Sequence, residues 1–383
     1  MTSVAAPAPS PTPSSWWARP DARRWRGEAT SDSARRCHLM LPGYAVTPLV
    51  DAPALARRWS LGQVFVKDES SRFGLPSFKA LGVSYALARL LAERADQPIS
   101  TSWPQLLSQA ATTDVTLVTA TDGNHGRALA HFAAMLNLRC EVVVPAVMSE
   151  AAAAAIAAEG ADVTRIDGSY DDAVAAAAAT DSVAGRVLVQ DTSWPGYEVI
   201  PGWIVEGYQT MLAETAEQLR AQGRAEPDLV AVPVGVGSLA QAVVAYYRDR
   251  QRQVSTSVLS CEPDSAACVL ASLLAGEPRS VATAFTNMAG LNCGTPTSLG
   301  WPVLSGGLDA AITVTDEEAT RAVDELARFG VGAGASGAAA LAGVEAALTG
   351  PEASSRRAAL GLDPSSVVVL LNTEGPSGAG GLA

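Results

Sequence analysis

The sequence predicts an α/β protein whose open, mostly parallel sheets carry helices on both faces. Three observations carry that expectation. From about residue 47 onward, short β-branched runs alternate with helix-length segments. The runs are apolar throughout, as in strands buried on both faces, and lack the alternation of a half-exposed sheet. Of the 383 residues 48% are apolar and 17% charged, enough to build a large core and to exclude a disordered chain.

The elements follow in order. Residues 1 to about 15 are Pro, Ala, Ser and Thr, too poor in core-forming side chains to fold, and are expected to form a mobile tail. They carry no basic head followed by an apolar block, so no secretory signal is read there. Strands are expected at Val64–Lys67, Thr116–Ala120, Glu141–Val144, Val163–Ile166, Val187–Gln190, Leu229–Pro233, Ser257–Cys261 and Val367–Leu371. Helices are expected at Lys79–Arg94, Gly126–Asn137, Asp171–Thr180, Trp203–Gln222, Ser238–Arg250, Asp316–Arg328 and Ser336–Leu348. Thr315 before Asp316, with Glu317-Glu318 after it, makes a capped and acid-biased helix start. The Ala-rich stretches Ala151–Ala158 and Ala173–Ala179 are helix-favouring composition and not a repeat.

Charge and cysteine usage narrow the partners. Thirty-nine acidic against 27 basic residues give −12, a sign that repels phosphate backbones and anionic membrane surfaces. Neither nucleic acid nor membrane is therefore expected. Cys37, Cys140, Cys261, Cys268 and Cys293 form no C-x-x-C pair, and His38, His125 and His131 stand at no metal-ligand spacing. That pattern predicts no metal site, no obligatory disulfide framework, and a reducing, cytoplasmic compartment.

Four loops at strand ends are too unusual for simple connectors, and ligands of open α/β sheets bind there. The first, Ser70 to Lys79, runs from the strand Val64–Lys67 into an apolar helix. Lys79 falls at the helix start, where the positive end of the dipole disfavours a protonated amine. Such a position suits a neutral nucleophile that forms a Schiff base; an ordinary surface lysine is the alternative. The second, Thr121-Asp122-Gly123-Asn124-His125-Gly126, sets a base and hydrogen-bond groups in one turn, unless it is only a tight turn with an Asx cap. The third, Pro233 to Ala240, offers free amides and a helix N-terminus to a phosphate. Its spacing also fits the dinucleotide fingerprint, with Glu262 as the ribose acid. On these residues alone that rival stays open. The fourth, Asn372-Thr373-Glu374-Gly375, places a hydroxyl and an acid at a strand end, where turn formers are common.

Taken in order, Ser77-Phe78-Lys79, Thr121 to Gly126 and the glycine-rich loop resemble the tryptophan-synthase-β-like, fold type II pyridoxal-phosphate enzymes. The resemblance sharpens to the diaminopropionate ammonia-lyase family at several further segments. These are Lys67-Asp68-Glu69-Ser70 with Arg72-Phe73-Gly74-Leu75, Gln190-Asp191-Thr192-x-Trp194-x-Gly196-Tyr197, Ile200-Pro201-x-Trp203, Glu262-Pro263-Asp264 and Met288-Ala289-Gly290-Leu291-x-Cys293-Gly294. It covers about Pro42 to Gly375.

The resemblance implies pyridoxal 5'-phosphate in a cleft between two open-sheet domains. The larger would comprise residues 16–88 and 205–383, the smaller residues 89–204. Lys79 would hold the cofactor as a Schiff base, and Gly235, Val236, Gly237, Ser238 and Leu239 would cradle its phosphate. Asn124 would donate to the phenolate oxygen and Thr373 would stand beside the pyridine nitrogen. Phe78 would pack against the ring, a plain core phenylalanine being the alternative. The implied reaction is β-elimination from 2,3-diaminopropionate to pyruvate and ammonia. Since the family takes both D- and L-isomers, bases are implied on opposite faces of the cofactor: Lys79 for the L-isomer and Asp122 for the D-isomer. Asp191 would hold a substrate amino group by charge pairing, or else be a buried capping residue. Ser77 and Thr121 are substrate-carboxylate candidates. Cys268 and Cys293 match positions that can form a disulfide in relatives, a pairing not expected in a reducing compartment, and a homodimer is implied.

Two departures bear on the substrate. Pro76-Ser77 replaces the Asn-Ala pattern of the subgroup, and Pro195 interrupts Trp194-x-Gly196. The alternative is therefore a pyridoxal-phosphate-dependent dehydratase or β-replacement enzyme acting on another β-substituted amino acid. A binding protein that keeps only the fold has no chemical need of Lys79, Asp122 and Asn124.

Overall fold

The computed structural model describes residues 15–180, 183–252 and 254–376; the tail expected over residues 1 to about 15 lies outside them, Ser15 excepted. Eleven strands are found among the described residues. They are β1 (Trp16–Ala18), β2 (Leu49–Asp51), β3 (Gln63–Asp68), β4 (Thr116–Ala120), β5 (Arg139–Pro145), β6 (Asp162–Ile166), β7 (Arg186–Leu188), β8 (Leu229–Pro233), β9 (Ser257–Pro263), β10 (Ala310–Val314) and β11 (Val367–Asn372). Seven make one sheet in the order β1-β10-β9-β8-β11-β3-β2, and four make another in the order β6-β5-β4-β7. The smaller sheet is parallel throughout. In the larger, only the edges β1 and β2 run antiparallel to their neighbours. The expected α/β class with mostly parallel sheets is what forms.

The apolar runs explain the middle of the larger sheet. Every residue of β8, β9, β10 and β11 is buried, because helices cover both faces. One face packs on the helix Ala335–Leu348, where Ala338, Leu341 and Val344 meet Leu259, Ile312 and Leu370. The other face belongs to a core that continues into the smaller sheet, joining Phe65, Val230 and Val258 to Leu117 and Val142. Between the sheets the helix Lys79–Arg94 crosses the helix Val199–Ala221 at close range. A Cβ on Gly82 would stand 2.5 Å from Tyr208 Cε1, and one on Gly207 would stand 2.5 Å from the Leu81 carbonyl oxygen. This crossing fixes the helix that begins with Lys79.

Three strands were not expected from the sequence. β1 and β2 have three residues each, too few for a pattern to show. β10 begins Ala310-Ala311, residues with no β preference, and pairing with Leu259–Pro263 of β9 imposes the extended state. At the other end of that strand, Thr315 and Glu318 cap the helix Asp316–Ala327 reciprocally, as the sequence indicated.

Topology brings three of the four unusual loops to one place. β11 lies between β8 and β3, so the loops after these strands are neighbours. The Phe78 amide donates to the Thr373 carbonyl at 3.1 Å, and the Gly375 amide donates to the Pro76 carbonyl at 2.8 Å. The segment before Lys79 is thus stitched to the end of β11.

Candidate active site

Lys79 is the first residue of its helix, preceded by Phe78 in helical conformation with no side-chain cap. The loop leading to it is anchored from below by a fully buried ion cluster. Arg72 donates to both oxygens of Glu69, at 2.8 and 2.7 Å, and to both oxygens of Glu214, at 2.7 and 2.8 Å. Lys67 Nζ donates to Glu214 Oε2 at 2.8 Å. Two cations facing two carboxylates, each multiply hydrogen-bonded, form a balanced cluster that tolerates burial.

The turn after β4 is shaped by Thr121 and Gly123. Gly123 has φ 150°, which opens the turn, and Thr121 Oγ1 accepts from the Gly123 and Gly126 amides at 2.9 and 3.0 Å. Asp122 and Asn124 are thereby turned toward the space between the sheets. There a cavity of about 730 Å³, counting the part open to solvent, is walled by Phe78, Lys79, Asp122, Asn124, Asp191, residues 233–239 and Thr373. Of the residues to which the resemblance gives a cofactor or substrate role, Ser77 and Thr121 are the two that do not line it; they are buried, with exposures of 2% and 1%. His125, Tyr170, Gly290, Leu291, Cys293, Ser336 and Glu374 complete it. His125, Gly290, Leu291, Cys293 and Glu374 stood inside motifs already noted, whereas nothing marked Tyr170 or Ser336.

The charges are arranged around one carboxylate. Lys79 Nζ is ion-paired with Asp191 Oδ2, and His125 Nδ1 lies 3.8 Å from the same oxygen. Burial works against the Lys79 charge, but Asp191 outweighs it and holds the ammonium above the usual lysine range. The neutral amine expected at this helix start therefore does not arise from the dipole alone; the facing carboxylate keeps the proton on Nζ. Burial likewise works against the Asp191 charge, yet the facing Lys79 ammonium brings its pKa down to about 2. Asp122 goes the other way. Although its side chain is open to the cleft, withdrawal from bulk water raises it to about 6, with Lys79 opposing and Asp191 adding. His125 donates from Nε2 to the Val189 carbonyl at 2.8 Å, so Nδ1 is left as an acceptor; burial lowers its pKa and keeps it neutral.

The glycine-rich loop leaves β8 at Pro233 and enters the helix Ser238–Tyr247. Gly237 has φ 102°, and a Cβ there would stand 2.8 Å from Leu304 Cδ1. A Cβ on Gly235 would stand 3.0 Å from Cys293 Sγ and 3.2 Å from Leu291 Cα. Among the described residues, none accepts from the amides of Gly235 to Leu239. These amides and the helix N-terminus form a cradle for an anion. Ser238 Oγ donates instead to the Asp191 carbonyl at 2.7 Å, joining the cradle to the residue that holds Lys79. Glu262, the acid of the dinucleotide rival, is fully buried and caps the helix Cys268–Ala275 through the Val269 and Leu270 amides at 2.8 and 2.9 Å. It is not available to a ribose. Cys268 and Cys293 are free thiols; Cys268 Sγ bonds the Gly235 carbonyl at 3.5 Å.

The residues fit pyridoxal phosphate: an amine for its aldehyde, an anion cradle, and a side-chain amide with protons to donate, all on one cavity. Comparison with known proteins agrees. Residues 40–373 match the family model described as pyridoxal-phosphate dependent enzyme. The chain is 38% identical to a diaminopropionate ammonia-lyase of Salmonella typhimurium over 288 residues, 73% of this chain and 71% of that protein. It is 36% identical to the diaminopropionate ammonia-lyase of Escherichia coli (strain K12) over 348 residues, 89% of this chain and 87% of that protein. A crystal structure of the Escherichia coli diaminopropionate ammonia lyase, in complex with an aminoacrylate-PLP azomethine reaction intermediate, aligns with a TM-score of 0.83 and 33% identity over 94% of each chain.

Proposed function

Because this chain belongs to the diaminopropionate ammonia-lyase family of pyridoxal-phosphate dependent enzymes, we propose that its cavity eliminates ammonia from 2,3-diaminopropionate. The enzyme is a pyridoxal-phosphate-dependent carbon–nitrogen lyase, and the overall change takes one water per substrate to give pyruvate and two molecules of ammonia. One observation carries the assignment of parts: Lys79 Nζ paired with Asp191 in a cavity shared by Asp122 and the glycine-rich cradle.

When bound, pyridoxal phosphate supplies an electron sink that acidifies the substrate α-carbon and lets a β-substituent leave. On this reading Lys79 Nζ holds its aldehyde carbon, and the amides of Gly235, Val236, Gly237, Ser238 and Leu239 hold its phosphate. Asn124 donates to its phenolate oxygen, Thr373 stands at its ring nitrogen, and Phe78 packs beside the ring. Asp191, ionised at any physiological pH, accepts a substrate ammonium in place of Lys79. Once the substrate's α-amine has taken the place of Nζ at the aldehyde carbon, Lys79 Nζ would be a free amine able to act as a base. Lys79 then takes the α-proton of the L-isomer and Asp122 that of the D-isomer, from opposite sides. Thr121 and Ser77, whose hydroxyls meet backbone amides, shape the two loops that present Asn124 and Lys79.

The same proposal reads the two sheets as a smaller domain, residues 89–204, closing on a larger one, residues 16–88 and 205–383, with the cavity between. It also takes the protein to be a cytoplasmic homodimer; no described helix is long and apolar enough to cross a membrane. Light scattering on the purified protein measures the oligomeric state.

The function is tested by incubating the holoenzyme with D- and L-2,3-diaminopropionate, with serine and threonine in parallel. About two ammonia per pyruvate, abolished in Lys79→Ala, is the expected result. Turnover of serine or threonine with none of diaminopropionate would overturn the substrate and favour the dehydratase alternative.

A further inference from the structure

Glu374 follows Thr373 at the end of β11 and connects parts of the site that are remote in sequence. Its backbone forms an isolated antiparallel bridge with Ser77, two residues before Lys79. Its side chain crosses the cleft, where Asn124 Nδ2 donates to Oε2 at 2.6 Å. Asn124 opens the helix Asn124–Met135 beside the smaller sheet, so this one bond spans the two sheets. At the start of the helix Ala335–Leu348, Ser336 donates to the same carboxylate from its hydroxyl and its amide. Small residues make the room: a Cβ on Gly334 would stand 2.5 Å from Glu374 Oε1. Burial raises the carboxyl pKa above its usual value, with the Ser336 and Asn124 donors working against that rise.

A carboxylate can only accept. Asn124 must therefore turn Nδ2, not Oδ1, toward Glu374. One Nδ2 proton is used there and the second is left for another acceptor. A phenolate oxygen also needs a donor, and an asparagine free to flip would offer it a carbonyl oxygen in the wrong orientation. We infer that Glu374 is a positioning residue that holds the Asn124 side-chain amide with a proton toward the phenolate oxygen of the cofactor. The inference rests on the reading of Asn124 as the donor to that oxygen.

The test is a double-mutant cycle on Glu374→Ala and Asn124→Ala, with Glu374→Gln as a variant of unchanged size. Two readouts apart from turnover are used: the dissociation constant of pyridoxal phosphate from the protein, and the absorption and circular dichroism bands of the bound cofactor. Glu374→Ala is expected to weaken cofactor binding about tenfold and to move the bands as Asn124→Ala does. In the double variant Glu374→Ala adds nothing further. Glu374→Gln, which keeps one acceptor oxygen but replaces the other with an N–H₂ that cannot accept, falls between wild type and Glu374→Ala. If Glu374→Ala does not fold, the same cycle is run with Glu374→Gln. Additive losses, or wild-type bands in the Glu374 variants beside shifted bands in Asn124→Ala, overturn the inference and leave Glu374 as a tie between sheets. Wild-type binding and bands in Asn124→Ala overturn it together with the assignment of Asn124, and that single variant tells the two failures apart.

Discussion

Asp122 and Asp191 share one cleft, yet their surroundings move their protons in opposite directions. Asp191 is pulled down to about 2 by its partner Lys79, against burial. Asp122, which has no ion pair among the described residues, is raised to about 6 by withdrawal from water. A pair split in this way suits one carboxylate that binds a cation and one that exchanges a proton. A base must be ionised to act, and Asp122 is protonated below about 6, while Asp191 is ionised on both sides of that value. The kcat/KM for D-diaminopropionate should therefore rise with pH through about 6, as a pH–rate series would show. Asp122→Asn should lower the D-reaction at least about a hundredfold and leave the L-reaction within a few-fold. Equal losses on both isomers would contradict the assignment of one base to each face. Part of this was legible in the sequence, because Lys79, Asp122, Asn124 and residues 235–239 each sit in a short segment of unusual composition at a strand end; a surface lysine and an Asx-capped turn stayed open there, and the roles came from the resemblance. Glu374, Ser336 and Tyr170 were not legible as site residues. Glu374 lay in a loop already noted but had no role there, whereas Ser336 and Tyr170 are ordinary in their own segments; all three become notable only when distant elements meet.

Among elements, the loop from Ser70 to Phe78 has the most to hold in place, since it delivers Lys79 and has little regular structure of its own. Its anchor is the cluster of Lys67, Glu69, Arg72 and Glu214, whose side chains are fully buried. Removing Arg72 would leave two carboxylates facing Lys67 alone. Arg72→Ala is accordingly expected to cost about 3–5 kcal/mol in urea unfolding, and to lower kcat through a displaced Lys79. Burial disfavours the Glu214 charge, but Arg72 and Lys67 bring its pKa down to about 2, below its usual value. A carboxyl lowered in the folded state contributes stability above its unfolded pKa and loses it as pH falls toward the folded one. Wild type should therefore lose stability between about pH 4.5 and 2, and Glu214→Gln, weaker at neutral pH, should lose less over that window. Acid titrations followed by circular dichroism measure this, and parallel curves for the two proteins would count against it. The sequence displayed Lys67, Glu69 and Arg72 together as a motif, but not Glu214, which arrives on a helix more than a hundred residues later. Strand β10 was hidden for a related reason: Ala310-Ala311 has no preference that β9 does not impose.

At the scale of the molecule, neither sheet owns the site. Asp122 and Asn124 follow β4, and Asp191 follows β7, on the smaller sheet. Lys79, the cradle at residues 235–239 and Thr373 follow β3, β8 and β11 on the larger. Alternating strands and helices showed that such sheets exist. The meeting of these particular loops was set by strand order, which no local pattern encodes. A ligand held from both sides binds the folded arrangement and not the unfolded chain, so it should stabilise the whole by mass action. One apolar core already runs through both sheets, which predicts a single thermal transition. Pyridoxal phosphate at about a hundred times its dissociation constant should add about 2.7 kcal/mol to that transition. Gly237→Ala tests the cradle without touching a proton-transfer group. Its new Cβ would be placed at φ 102° and 2.8 Å from Leu304 Cδ1, so the loop must shift and its amides with it. In that variant the Tm rise at the same cofactor concentration should shrink, while the cofactor-free protein falls only by the local strain. A wild-type Tm indifferent to the cofactor, or a rise in only one of two separate transitions, would mean that one sheet alone holds it. The pairing of Asn124 with Glu374 and of Asp191 with Lys79 across the cleft argues for a single shared transition.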